Sequence, residues 1–148
     1  MSLQINQLDK SNLKTFQNLI QLFNEVFEVE NTAIANDLHL KNLLQKKEFI
    51  AIVAMQENIV IGGLTAYEMP MYSSNYSELY IYDMAIKTEF QRMGIGKKLI
   101  EALTEYCKQN NIKTMFVEAQ EEDKHAIDFY HSAKGKAEKV VHFNFEIS

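Results

Sequence analysis

"YDMAIKTEFQRMGIGKKLIEAL", Tyr82 to Leu103, passes from an apolar run through charge and two glycines into a second apolar period. Before the glycines, "SELYIYDMAI" is rich in the β-branched and aromatic residues of a strand. After them Ile95, Leu99, Leu103, Tyr106 and Cys107 recur at the spacing of one helix face. A helix N-terminus carries N–H groups without intrahelical partners and the positive end of the helix dipole, and glycine removes the side chain that would hold an anion away. Strand, bare backbone and helix in this order predict a phosphate-binding loop. A Walker A loop would need Ser or Thr where Lys98 stands, and a dinucleotide fingerprint would need Gly or Ala where Leu99 stands. The pattern Gln-x-x-Gly-x-Gly fixes only three positions, so the rest of the chain must decide which phosphate compound the loop holds.

Upstream, Leu3 and Ile5 predict a short opening strand, and Leu13, Phe16, Leu19, Ile20, Phe23 and Phe27 predict a helix capped by Ser11. Leu40, Leu43 and Leu44 give a shorter second helix with Asp37 as its cap. "FIAIVAMQ" and "IVIGGLTAYEM", joined by Glu57-Asn58, read as an antiparallel hairpin that Pro70 ends. Downstream, "KTMFVEA" is a strand, Asp123 caps a helix carrying Ala126, Ile127 and Tyr130, and "EKVVHFNFEI" alternates as a final strand. The order β-α-α-β-β-β-α-β-α-β predicts an α/β (α+β) fold, a mixed sheet with helices on both faces.

At 148 residues the chain reads as one domain, 1–148, and nothing in it has the composition of a linker or repeat. A net charge of −5 argues against a nucleic-acid partner and for a cationic ligand. The lone cysteine, Cys107, cannot form an internal disulfide, the N-terminus has no signal-peptide pattern, and no run of 18 apolar residues occurs. The expectation is a cytoplasmic protein with no membrane contact. His39, His125, His131 and His142 show no metal-ligand spacing with each other or with Cys107, so no metal is expected.

Gln91-Arg92-Met93-Gly94-Ile95-Gly96, between a strand and a helix, resembles the signature of the GNAT superfamily of acyl-CoA-dependent N-acetyltransferases. The resemblance implies a mostly antiparallel sheet whose central strand splays from its neighbour and pairs with the pantetheine arm, with acetyl-CoA as co-substrate. By position it assigns the strand contacts to Met84, Ala85 and Ile86. It assigns the pyrophosphate loop to Gln91, Arg92, Met93, Gly94, Ile95, Gly96 and Lys97, with Arg92, Lys97 and Lys98 adding charge. "LLQKKEFIAIVA", "IGGLTAYEMP", "SELYIYDMAI", "FVEA" and "HFNFEI" are further similar, in order and spacing, to type I aminoglycoside 3-N-acetyltransferases. That similarity implies acetylation of a primary amine on the aminocyclitol ring of an aminoglycoside, hence antibiotic resistance, and a homodimer is expected because dimers are common in the family.

An amine attacks a thioester only when unprotonated, so the chemistry needs a proton acceptor beside the amine and a donor for the oxyanion. Asp83, directly before the residues assigned to pantetheine, is the expected base; anchoring of the cationic acceptor without proton transfer is the alternative role. Glu78 shares the strand but, five residues earlier, belongs to the opposite face of a regular strand unless a bulge intervenes. Glu78, Glu118 and His142 are expected substrate contacts. Tyr67, Tyr72, Tyr80 and Tyr82 are candidates for the wall of the acceptor pocket. "AIDFY" resembles the family's fourth-helix motif, which assigns Tyr130 as general acid to the coenzyme sulfur and Asp123 and Ala126 as coenzyme contacts. Asp123 replaces the family's usual asparagine, and "YHSAKGKAE" is one residue longer than its usual step. Two other readings stay open. The acceptor is a polyamine, another small amine or a protein amino group, or the chain is a non-catalytic acyl-CoA-binding module.

Overall fold

The computed structural model describes residues 2–30 and 34–148. These form two compact units, 1–118 and 119–148.

The first unit is built on a sheet of five strands, β1 (Leu3–Gln7), β2 (Phe49–Gln56), β3 (Ile59–Pro70), β4 (Ser77–Ile86) and β5 (Ile112–Val117), in sequence order. The first three pairings are antiparallel and β4 with β5 is parallel. Helices α1 (Leu13–Val26) and α2 (Asp37–Gln45) cover one face; α3 (Ile95–Gln109) covers the other. The apolar period of α1 places Phe16, Leu19, Leu22 and Phe23 against Val53, Ala51 and Ala85, whereas Leu99, Leu103 and Cys107 of α3 meet Leu64, Leu79 and Ile81. Each buried Leu or Phe stabilises such a face by about 1.5–3 kcal/mol, so the two apolar stripes decide which helix takes which side.

Several local expectations hold and two caps move. Glu57 and Asn58 have φ values of 52° and 63°, the left-handed pair that closes a two-residue hairpin with the twist of its strands. Asp123 caps its helix, accepting from the Ala126 N–H at 3.1 Å. Ser11 does not cap α1: it lies in a 3-10 turn over Lys10–Asn12, where the Asp9 carboxylate accepts from both its N–H and its hydroxyl. Asn36, not Asp37, caps α2 by accepting from the His39 N–H. Asp37 instead accepts from Gln17 on α1. Gly63 is where α1 crosses β3, since a Cβ there would stand 2.5 Å from Leu19 Cδ1 and 2.7 Å from the Ile52 carbonyl.

The second unit holds α4 (Lys124–Ser132), whose end is closed by the Gly135 N–H donating to the Tyr130 carbonyl at 2.9 Å. The strand expected over Glu138–Ile147 is absent: residues 136–148 carry no regular secondary structure. Its alternation survives as exposure, with Val141, Phe143, Phe145 and Ile147 between 74% and 93% accessible. A strand exists only where a second backbone takes its N–H and C=O groups, and residues 136–148 have no strand partner among the described residues.

Candidate active site

Two irregularities in β4 shape the region. Thr65 pairs with Asp83 and Ala66 with Ile81, which leaves Tyr82 as an extra, bulged residue. Leu79 and Ile81 before the bulge, and Met84 and Ile86 after it, belong to the same core cluster on the α3 side, while Ala85 belongs to the α1 side. The bulge therefore restores parity, and Glu78, Tyr80 and Asp83 share the α1 face of the sheet. This corrects the opposite-face placement of Glu78 that a regular strand would give.

The second irregularity is a split. Pairing of β4 with β5 stops at Ile81 and Val117, while β4 stays paired with β3 as far as Ile86. The backbone of Met84, Ala85 and Ile86 thus has no strand partner on the β5 side among the described residues. The split opens toward the glycine loop. The Gln91 side-chain amide donates to the Ile86 carbonyl at 3.0 Å, and the Lys87 N–H donates to the Ile61 carbonyl, so strand end and loop are fastened together.

Gly94 is the N-cap of α3, with φ 82° and no side-chain cap. Hydrogen bonding along the helix begins with the Lys98 N–H to the Gly94 carbonyl at 3.2 Å, which leaves the amides of Ile95, Gly96 and Lys97 at the open end. A Cβ on Gly94 would meet no atom within 4 Å, so the approach to that end is clear. Arg92, also left-handed at φ 64°, is exposed with Met93, Lys97 and Lys98; Ile95 and Gly96 are buried, and only their backbone faces the loop. Met84, Ala85, Ile86 and Gln91 to Lys97 are thus brought to one place.

On the α1 face an aromatic series crosses the sheet. Phe49 meets Tyr67 at 5.3 Å between ring centroids, Tyr67 meets Tyr82 at 5.9 Å, Tyr82 meets Tyr80 at 5.8 Å, and Tyr80 stacks on Phe116 at 4.8 Å. The Tyr80 hydroxyl donates to Glu118 Oε1 at 2.6 Å. That bond to a carboxylate, ahead of burial, pushes the phenol up to about 12. Asp83 is half-buried beside these rings, and burial raises its carboxyl above the ordinary value. Burial first, then the neighbouring Tyr82 and Asp83, raises Tyr67 as well. The alternation "YIYD" was the legible sign of this wall; Phe116 and the bond from Tyr80 to Glu118 were not foreseen. Tyr72 lies outside it, fully exposed.

Tyr130, Asp123, Ala126 and His142 belong to the second unit. Tyr130 and Ala126 lie on α4, with the Tyr130 ring edge-on to Phe129 at 5.3 Å. Asp123 spends its carboxylate on the cap, and His142 Nε2 lies 2.9 Å from Asn144 Oδ1. Among the described residues no group of three or more His, Cys, Asp or Glu is arranged to hold a metal. Cys107 is buried in the α3 core, and burial followed by the nearby Glu68 pushes its thiol up to about 11, so it stays an unreactive thiol. The groove of about 400 Å³ that it lines with Thr104 and Met115 shares no residue with the region around Asp83. No helix among the described residues is long and apolar enough to cross a membrane.

Comparison with known proteins fits this geometry. The sequence pattern of the Acetyltransferase (GNAT) family matches residues 16–135. A crystal structure of an aminoglycoside acetyltransferase from an uncultured soil metagenomic sample, in complex with sisomicin, is 41% identical, with 99% of this chain and 97% of that one covered at a TM-score of 0.97. A second aminoglycoside acetyltransferase from such a sample is 34% identical over 100% of both chains, with a TM-score of 0.95. N-alpha-acetyltransferase 50 of Danio rerio is 26% identical over 129 residues, 86% of this chain and 71% of the relative. A split strand that runs into a helix opened by a glycine N-cap, on a chain whose pattern matches over most of its length, identifies this protein as a member of the GNAT family of acetyltransferases, whose acyl donor is acetyl-CoA.

Proposed function

We propose that the chain is a single acetyltransferase domain, 1–148, that moves the acetyl group of acetyl-CoA to a primary amine of an aminoglycoside, the 3-amino group of the aminocyclitol ring. The observation that carries the reading is Asp83: a half-buried carboxylate with a raised affinity for protons, beside a wall of tyrosines and next to an unpaired strand edge. The pyrophosphate lies on the amides of Ile95, Gly96 and Lys97, Arg92 and Lys98 contribute charge, and the pantetheine arm pairs with Met84 to Ile86. That pairing sets the thioester beside Asp83, which accepts the ammonium proton directly or through water, and the free amine attacks the thioester carbon. A backbone N–H near Met84 faces the oxyanion, and carbon–sulfur cleavage returns the thiolate. The 41% identical structure solved with sisomicin supports the acceptor class, and the family pattern, running across both units, supports one domain. With a net charge of −5 and a lone buried cysteine, the protein is suited to the cytoplasm, where it would confer aminoglycoside resistance.

The deciding experiment incubates the protein with acetyl-CoA and a panel of amines and follows release of free thiol. Sisomicin-dependent release is expected, with mass spectrometry locating the acetyl group. Release with spermidine or with a peptide N-terminus, and none with sisomicin, would move the acceptor to the class suggested by the Danio rerio relative or to polyamines. No release with any amine, while acetyl-CoA still binds, would leave a binding module.

Two finer assignments follow. Tyr130 is proposed as proton donor to the leaving thiolate, since phenols and thiols are close enough in acidity for the proton to pass between them. Tyr130→Phe is expected to lower turnover at least tenfold with unchanged coenzyme affinity, and equal turnover would make it a packing residue. A homodimer is proposed because the apolar side of Val141, Phe143, Phe145 and Ile147 is left exposed in one copy. Sedimentation should give about twice 17.2 kDa, and a species of 17.2 kDa at micromolar concentration would remove the dimer.

A further inference from the structure

An antiparallel ladder alternates: one residue turns its N–H and C=O toward the partner strand, and the next turns both away. The Lys87 N–H donates to the Ile61 carbonyl at 2.8 Å, one step beyond the register pair of Gly62 and Ile86. Lys87 and Ala85 therefore spend their backbone groups on β3. Met84 and Ile86 turn theirs to the side that β5 has already left. Of the groups so directed, the Ile86 carbonyl is taken, for the Gln91 side-chain amide donates to it at 3.0 Å. Only the NH2 end of an amide side chain can meet a carbonyl, so Gln91 stands there as a donor. The Ile86 N–H and both groups of Met84 stay open on that side among the described residues.

We propose that Gln91 is a positioning residue for the pantetheine arm: its side-chain amide occupies the Ile86 carbonyl, so that the arm's amide pairing begins at the Ile86 N–H and runs on toward Met84. The chemistry of the coenzyme matches this division. Next to its pyrophosphate comes a dimethylated carbon chain with one hydroxyl, and the arm's amides begin only beyond it. The loop end of β4 therefore meets a stretch of coenzyme that has no amide N–H to give, and Gln91 supplies the missing donor from within the chain. The same bond joins the strand end to the loop, so the places that hold the arm and the pyrophosphate keep a fixed separation. Holding that edge in its pairing geometry beforehand lowers the entropy lost on binding. The inference rests on the coenzyme placement proposed above and deepens it, because it names the side chain that sets where the arm starts to pair.

The test compares two probes by calorimetry: ADP, which brings a pyrophosphate and no arm, and coenzyme A, which brings both. Gln91→Leu removes the donor at similar size. It should bind ADP within about twofold of the parent and coenzyme A about fivefold to tenfold more weakly, the worth of roughly one hydrogen bond. Gln91→Glu, equal in length but without a donor at neutral pH, should lower the ratio of coenzyme A to ADP affinity in the same way, and it carries the test if leucine is not tolerated. Amide hydrogen exchange gives a second readout. Coenzyme A should protect the Ile86 N–H of the parent while leaving that of Ala85 unchanged, and most of this protection should be missing in Gln91→Leu. Equal weakening of ADP and coenzyme A would reduce the bond to a brace of the loop and overturn the inference. Parent-like affinity for both probes, or parent-like protection of Ile86 in the variant, would overturn it too. Each of these leaves the acetyltransferase reading in place. Coenzyme A that does not bind the parent would remove both, and a parent that binds coenzyme A but not ADP would take the pyrophosphate off the loop and the inference with it.

Discussion

Gly94→Glu abolishes the rise in melting temperature that acetyl-CoA gives the parent protein. A ligand that binds only the native state stabilises it by about 2.7 kcal/mol at a hundred times its dissociation constant, and that whole increment is expected to vanish. The reason is local. Gly94 caps α3 with φ 82°, and the space its Cβ would enter is open to 4 Å, so a side chain there projects into the approach to the amides of Ile95, Gly96 and Lys97. A carboxylate in that position lies at the positive end of the helix dipole and occupies the place of the pyrophosphate with the same sign of charge. Left-handed backbone also costs a non-glycine residue about 1–2 kcal/mol, so loss of ligand must be separated from loss of fold. Circular dichroism of Gly94→Glu should show native helix. Gly94→Asn, which tolerates the left-handed region and adds no charge, should retain a measurable shift. A folded Gly94→Glu protein with the parent's full shift would place the pyrophosphate elsewhere.

Legibility in the sequence followed the range of the interaction concerned. The helix after the glycines, the hairpin at Glu57-Asn58 and the stop at Pro70 each depend on neighbours a few residues apart, and each stands where the pattern put it. The caps of α1 and α2 moved by one or two residues because Asp9, Ser11, Asn36 and Asp37 are all competent acceptors, and only the incoming chain direction chooses among them. The bulge at Tyr82 stood in the sequence only as an alternative to a regular strand, since it is a mismatch of length between β3 and β4 and belongs to neither strand alone. Yet it moves Glu78 to the face of Asp83. Phe116 was unreadable for a similar reason: it becomes part of the wall only through the parallel register of β4 with β5, which pairs it with Tyr80. The alternation in Glu138–Ile147 was legible, but the strand it predicts does not form, because an alternating stripe does not fix which strand it pairs with.

Asp83→Asn separates the acceptor reading from the coenzyme reading more sharply than any other substitution. The side chain is half-buried on β4, and burial disfavours its charge, so the carboxyl binds a proton more readily than an exposed aspartate does. A raised native-state pKa in an acid means that folding stability is greatest below the unfolded-state value, falls as pH rises through the native one, and then stays level. A charge on Asp83 therefore disfavours the fold, and Asn, similar in shape and uncharged, should melt no lower than the parent. Acetyl-CoA should bind it normally, because the loop from Gln91 to Lys97 is untouched. Turnover of sisomicin should fall by roughly a hundredfold or more, the usual effect of removing a general base, and should recover in part at high pH, where the amine sheds its proton without help. If the carboxylate only anchors the cationic ring, the same variant raises the acceptor KM at nearly constant kcat, and alkaline pH, by discharging the amine, narrows the KM gap to the parent. Whether kcat or KM carries the loss, and its alkaline recovery, thus tells base from anchor, and a variant with the parent's kcat and KM would take Asp83 out of the site altogether.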